Sequence, residues 1–215
     1  MAVIYKPPRI LIVEAIRRNA RYLKGVVLDI GSGESKGYES LFNYEKYITL
    51  DINPDYKPDI VASAEKIPLK DNSIDSILCT QVLEHTKEPL KIIEEIYRVL
   101  KPGGYVLLTA PLINEIHGEP DDFWRFTNFG FEYLFKKSGF KSVKIEQLGG
   151  FFSSQAYLKI RYLIDRFDLP NRRWLGFLRL PIKWYAKIMM FLDKMDKSSA
   201  NKKHAFGWCV IAQKL

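Results

Sequence analysis

With 215 residues, 47% of them apolar and 27% charged, the chain can build one sizeable core and has the composition of neither a disordered segment nor a membrane bundle. The formal net charge of +8 is unevenly spread: residues 1–150 hold 20 Lys+Arg against 21 Asp+Glu, and residues 151–215 hold 13 against 4. A partner drawn by positive charge is therefore expected at the C-terminal third.

In chain order, residues 9–24 repeat apolar side chains at helical spacing and end before Gly25, which predicts an amphipathic helix. VVLDI (26–30) is a short apolar run stopped by Gly-Ser-Gly and reads as a fully buried strand. Further strands are expected at 46–52, 59–62 and 73–81. Residues 88–100 predict a strong amphipathic helix, and Pro102-Gly103-Gly104 a turn leading to a strand at 105–111. A helix at 127–138, a strand at 141–148, helical patterns at 153–167 and 174–195 and a strand at 207–214 complete the order. Strands alternating with helices imply an α/β fold, with a mainly parallel sheet covered on both faces and ligands outside the C-terminal strand ends.

Cys79 and Cys209 fit no metal or redox spacing and read as reduced core thiols. The start MAVIYKPPRI lacks a continuous apolar run, so no leader is expected and the location implied is cytoplasmic. The most apolar stretch, 174–192, is interrupted by Arg179, Pro181, Lys183 and Lys187. Each cation at a bilayer centre costs about 2.5–3.5 kcal/mol, which argues against a spanning helix.

The loop after the first strand, Asp29-Ile30-Gly31-Ser32-Gly33, lets backbone approach a ligand closely, and a helix start behind it would offer unpaired N–H groups. It reads equally as a tight strand-to-helix turn. It is not a dinucleotide fingerprint, because Lys36 stands where the third glycine belongs. Asp51 ends the second strand, where a carboxylate accepts from both ribose hydroxyls or simply meets solvent. An acidic Asp29 suits a cationic ligand better than a phosphate.

VLDIGSGES, TLDINP, ASAEKIPLKDNSID, VLEH and EIYRVLKPGGYVLLTAP follow one another within residues 26–111. Together they resemble the successive motifs of class I S-adenosylmethionine-dependent methyltransferases, above all the small-molecule (type 11-like) subgroup with VLEH and RVLKPGG blocks. The resemblance implies a Rossmann-like fold with a seven-stranded sheet and a helical insertion before the last strand. It implies S-adenosyl-L-methionine as cofactor, with S-adenosyl-L-homocysteine as product. Asp29, Gly31, Ser32 and Gly33 would shape the pocket for the cofactor's amino-acid portion. Asp51 would hold the ribose, Ile52 would pack on the adenine, Ala64 and Glu65 would lie at the adenine edge, and Gln81 would face the methionine part. Ser35 replaces a third glycine of many members, and Ser63 an aspartate that accepts from the adenine amino group, a role Glu65 could take. The expected organisation is one domain over 1–215, with a cofactor core (26–111), an acceptor-side segment (112–152), a basic helical insertion (153–203) and a closing strand (204–215).

Oxygen acceptors need a base. His85, after the fourth strand, and His117, after the fifth, are the candidates, with a backbone-bonded helix-start histidine as the bland alternative for His85. His85, His117 and His204 are widely separated in sequence, so no metal is expected. The segment 117–127, with Asp122, Trp124 and Arg125, resembles a loop of methyltransferases encoded with glycan-assembly genes. Trp124 offers a stacking face, Arg125 a forked donor and Asp122 a carboxylate, or else the three only brace the core.

Residues 153–203 interleave Tyr157, Tyr162, Phe167, Trp174, Phe177, Trp184, Tyr185 and Phe191 with Arg161, Arg166, Arg172, Arg173, Arg179, Lys183 and Lys187. A lid or dimer contact ranks first, a peripheral membrane contact second and single-stranded nucleic acid last. The function expected is methyl transfer to a small molecule, such as a sugar or lipid-linked glycan hydroxyl. The alternatives are an RNA or protein methyltransferase and a non-catalytic S-adenosylmethionine-binding module. The oligomeric state stays open.

Overall fold

The computed structural model describes residues 7–34, 37–169 and 173–215. Seven strands, β1 (Val26–Ile30), β2 (Lys46–Asp51), β3 (Ile60–Val61), β4 (Ile74–Thr80), β5 (Leu100–Pro111), β6 (Ser142–Leu148) and β7 (Gly207–Gln213), form one sheet in the order β3-β2-β1-β4-β5-β7-β6. The pairs from β3 through β5 are parallel, and β7 runs antiparallel between β5 and β6. Among the described residues six helices accompany them: α1 (Pro7–Arg18), α2 (Pro89–Val99), α3 (Asn128–Lys137), α4 (Phe151–Phe167), α5 (Arg179–Met195) and α6 (Ser199–Lys202).

The pleat sorts the strand residues between two cores. Leu28 and Ile30, Ile77 and Cys79, and Val106 and Leu108 join the core covered by Ile92, Ile93 and Ile96 of α2 and Phe131 and Phe135 of α3. Val27, Leu78 and Leu107 point the other way, to Ile12, Ala15 and Ile16 of α1 and Met190 of α5. Helices thus cover both faces. Both cysteines are buried and free, as expected. No helix among the described residues is long and apolar enough to cross a membrane.

Three local expectations give way. Pro102-Gly103-Gly104 lies inside β5, where the register with β4 shifts between Ile74 and Ser76; residues 101–104 form a bulge, not a separate turn. The first helix stops at Arg18, and a short 3-10 turn, Ala20–Tyr22, carries the chain to β1. The helix start expected behind the first loop is absent from the described residues there, which form only a 3-10 turn, Glu39–Leu41. Ser35, Arg172 and the side chains of Arg173, Trp174 and Arg179 lie outside the described residues.

Topology sets one further relation. β5 ends beside the start of β7 (Pro111↔Gly207), and the end of β6 pairs with the same residue (Leu148↔Gly207). The helical insertion therefore springs from the edge of the sheet at which the parallel strands also end.

Candidate active site at the C-terminal edge of the sheet

The loop after β1 folds back on β2. Gly31 and Ser32 donate their backbone N–H groups to Leu50 O (2.8 and 3.3 Å), and Gly33 donates to Asp51 Oδ2 (2.9 Å). Asp51 Oδ1 accepts from Asn53 N (2.9 Å). Gly31 stands at φ 70°, and a Cβ there would lie 2.3 Å from Val82 Cγ2. The first loop is thereby pressed on the turn after β4, where Gln81 holds a left-handed conformation (φ 56°) and donates from Nε2 to Thr109 Oγ1 (3.3 Å).

Below the loop, Asp29 Oδ2 accepts from the Tyr47 hydroxyl (2.6 Å), while Oδ1 is buried without a partner. Burial first, and the charge of Asp51 after it, raise the Asp29 carboxyl to about 7. Ile52, just beyond β2, is 71% exposed, a large apolar side chain left bare at the strand end. Ala64 is half-buried against the core. Glu65 Oε1 accepts from Thr86 Oγ1 (2.5 Å), and Ser63 Oγ accepts from Glu65 N (3.2 Å), so both residues near the expected adenine edge have protein partners.

Across Gln81, the loop after β5 is tied to the turn after β4. Phe123 N donates to Glu84 O (2.8 Å), and Trp124 Nε1 donates to Thr86 O (2.9 Å). The tie brings together two histidines distant in sequence: the His85 and His117 rings meet edge to face, centroids 4.8 Å apart. Glu84 joins them, so that one carboxylate oxygen and one nitrogen of each ring lie within 4.8 Å of one another. The expectation that the histidines are too scattered for a metal is thus corrected for this pair, because two consecutive strand-end loops close on each other. His204 stays apart, its ring against Phe151.

Glu84 is the residue that sequence reasoning passed over. It is fully buried, neither carboxylate oxygen has a hydrogen-bond partner, and burial pushes its carboxyl up to about 8. The available signal was an acid in the otherwise apolar run Val82-Leu83-Glu84.

Asp122 and Arg125 form a two-bond fork (2.7 and 2.8 Å), and Asp122 also accepts from His117 N (3.0 Å). The Arg125 guanidinium beside Asp122 holds that carboxyl well below the usual carboxylate range. Arg125 also donates to Glu115 O (2.8 Å), so it braces the loop. Trp124 stacks over Phe126 and keeps a half-exposed face. From the insertion, the Tyr157 hydroxyl donates to Glu115 Oε1 (3.0 Å) and Arg161 pairs with the same oxygen (3.1 Å), linking α4 to this loop. A cleft between α1, β6 and α5, lined in part by Leu11, Gln147 and Asp193, contains none of these residues.

Residues 28–108 match the methyltransferase domain family. An uncharacterised protein of Methanocaldococcus jannaschii is 28% identical over 164 residues, which cover 67% of this chain and 76% of that one. A malonyl-[acyl-carrier protein] O-methyltransferase of a Marinomonas species is 32% identical over 104 residues, covering 40% of this chain and 37% of that one. The match thus spans little more than a third of that relative. Among solved structures, a SAM-dependent methyltransferase from Archaeoglobus fulgidus superposes with a TM-score of 0.60 at 18% identity, covering 96% and 94% of the two chains. The [4+2]-cyclase SpnF superposes at 0.64 with 17% identity, covering 94% and 80%. At such identities the likeness speaks for the fold. The match to the methyltransferase domain covers residues 28–108, and over that segment the motif order is the one expected of an S-adenosylmethionine-dependent methyltransferase.

Proposed function

We propose that the protein transfers a methyl group from S-adenosylmethionine to a hydroxyl oxygen of a small molecule, a sugar or lipid-linked glycan being the class favoured. The carrying observation is the Glu84–His85–His117 cluster in the loops after β4 and β5, the first of which also meets the cofactor loop through Val82 and Gly31. The first loop suits the cofactor: the orphaned Asp29 Oδ1 fits a ligand bearing an ammonium and a sulfonium, and the bare Ile52 fits an adenine face.

S-adenosylmethionine, when bound, supplies a methyl carbon activated by its sulfonium sulfur. The acceptor oxygen would form the new O–C bond as the S–C bond broke, its electron pair staying on sulfur. What the chain adds is alignment and a destination for the hydroxyl proton. His85 Nδ1 faces Asp121 O (2.6 Å), an acceptor only, so Nδ1 carries the hydrogen and Nε2 keeps a free lone pair. His117 Nδ1 lies 3.2 Å from Glu115 O, 3.3 Å from Asn114 Nδ2 and 3.4 Å from Asp122 Oδ2. A ring nitrogen of either histidine can take the proton, with His117, on the acceptor-side loop, the first candidate. Trp124 offers the acceptor a stacking face.

The insertion supports an encounter at the cytoplasmic surface of an anionic membrane. Leu180, Trp184, Ile188, Phe191 and Met195 form one stripe along α5, every member more than half exposed. Lys183, Lys187 and Lys194 flank it, with Lys187 Nζ 5.4 Å from the Trp184 ring centre. A bare apolar stripe edged by cations matches the chemistry of an interfacial helix.

The test of the reaction is calorimetry with S-adenosylhomocysteine, repeated on Asp51→Ala, followed by a methyl-transfer screen begun with sugars. Micromolar binding lost in the variant, with transfer to a hydroxyl, supports the reading. Well-folded protein that binds no S-adenosylhomocysteine rejects it.

A further inference from the structure

We infer that Glu84, His85 and His117 form a binding site for one divalent transition-metal cation. Three features of the cluster converge on this. First, the donors are a carboxylate and two imidazoles, with a donor atom of each within 4.8 Å of the others. Ligands of one ion at about 2.0–2.2 Å stand roughly 3–3.5 Å apart in a tetrahedral site, so small side-chain rotations close the set.

Second, both oxygens of Glu84 are buried without any hydrogen-bond partner. Only the residue's own backbone N–H stands near it, and a fully enclosed carboxylate with no donor from another residue is rare, because native folds satisfy buried polar groups by protein, water or ion. The nearby guanidinium of Arg125 does not serve it, being forked on Asp122. An ion seated against the two imidazoles would satisfy Glu84.

Third, the histidines are prepared as ligands. The Nδ1 of His85 is fixed by Asp121 O, and that of His117 faces Glu115 O, Asp122 Oδ2 and the Asn114 amide. Backbone carbonyl and carboxylate partners of this kind orient metal-bound imidazoles and leave the other ring nitrogen for the ion. Gly118, at φ 69°, lets the loop lie on the His85 ring: a Cβ there would come 3.1 Å from Cε1. Two imidazoles and one carboxylate suit the Mn-to-Zn series better than magnesium or calcium, which prefer oxygen donors, and they leave coordination positions open.

The role of the ion rests on the methyl-transfer reading above. The acceptor hydroxyl would bind at an open position, and coordination would lower its pKa so that its proton leaves to solvent. Where the ion is seated, the histidines are its ligands and the ion replaces the histidine base of the reading above; without it, that base stands.

The experiment is calorimetric titration of chelator-treated full-length protein with Zn2+, then Mn2+ and Mg2+, on the native chain and on Glu84→Gln, His117→Ala and His204→Ala. His117 lies on an exposed-edge loop, so its variant keeps the test valid if the buried Glu84 change unfolds the protein. Expected is one Zn2+ per chain, bound at least tenfold more weakly in Glu84→Gln and His117→Ala, unchanged in His204→Ala, and bound far more tightly than Mg2+. No stoichiometric binding, binding undiminished in His117→Ala, or equal loss in His204→Ala overturns the site. S-adenosylhomocysteine titrated into the same samples separates the two readings. Cofactor binding without metal binding rejects the ion and leaves a histidine base; metal binding without cofactor binding rejects the methyltransferase reading and leaves the site.

Discussion

Gly31 and Val82 are locked together: the valine methyl occupies the space that a Cβ on the glycine would need, 2.3 Å away. This contact joins the loop after β1 to the turn after β4. Gly31→Ala is expected to lose about 1–3 kcal/mol through overlap and left-handed strain, and at least tenfold in S-adenosylhomocysteine affinity. Adding Val82→Ala removes the overlap but not the strain. Thermal unfolding of the double variant should therefore recover part, not all, of the loss.

Asp29 makes stability fall with rising pH. Its native pKa of about 7 stands above the ordinary 3.8, so between those values the native state retains a proton that the unfolded chain has released. Stability from this group is full below pH 4 and declines toward pH 7, by up to about 4 kcal/mol. Asp29→Asn should flatten this part of the Tm–pH profile relative to the native chain. An identical slope in both proteins would contradict the shift. Where a cationic ligand sits beside Asp29, its binding should strengthen as pH rises through 7 and release protons, measurable by calorimetry in buffers of different ionisation enthalpy.

Removing Arg125 leaves the enclosed Asp122 carboxylate without its fork. Arg125→Ala should cost about 2–3 kcal/mol and loosen the loop that carries His117. Lysine cannot rebuild a planar two-bond fork, so Arg125→Lys should recover less than half. Because the Arg125 hydrogen bonds run to Asp122, Trp124 and Glu115, S-adenosylhomocysteine affinity should stay within about twofold while acceptor turnover falls. Equal loss of both would place Arg125 in the cofactor pocket instead.

The α5 stripe predicts co-flotation with vesicles containing anionic lipid. Trp184→Asp and Phe191→Asp should each weaken it at least tenfold, with melting temperatures held within a few degrees because both side chains face solvent. Added salt should weaken binding only in part, since the apolar share is not screened. If the stripe instead joins two copies, the same variants would change the sedimentation coefficient without lipid.

Much of the framework was legible because strands β1, β2 and β4 are short apolar runs with sharp polar boundaries, and α2 has an unbroken helical period. What escaped depends on partners remote in sequence. Bulged residues 101–104 belong to β5 because β4 and the C-terminal segment pair beside them, as in Gly103 N to Lys214 O (2.7 Å). The one-turn helix α6 is too short for periodicity to reveal. In the site, Asp51 and Gly31 could be read from their places after strands. Glu84, His85 and His117 could not be joined, since nothing local in either segment says that the loops after β4 and β5 close on each other. For Arg125 the sequence offers a substrate donor or a partner of Asp121 or Asp122, and the structure shows the fork to Asp122.

The in-register facing of Leu148 and Gly207 has an evolutionary meaning. It makes everything from 149 to 206 the tip of a single β-hairpin, joined to the sheet at a two-residue neck where Phe206 N also meets Leu148 O (2.9 Å). Chain inserted at such a neck costs little closure entropy, about 0.6 kcal/mol per doubling of length. Descendants of one ancestral enzyme could therefore exchange this tip wholesale, acquiring new docking surfaces while the pairing of β6 with β7 stayed as it was.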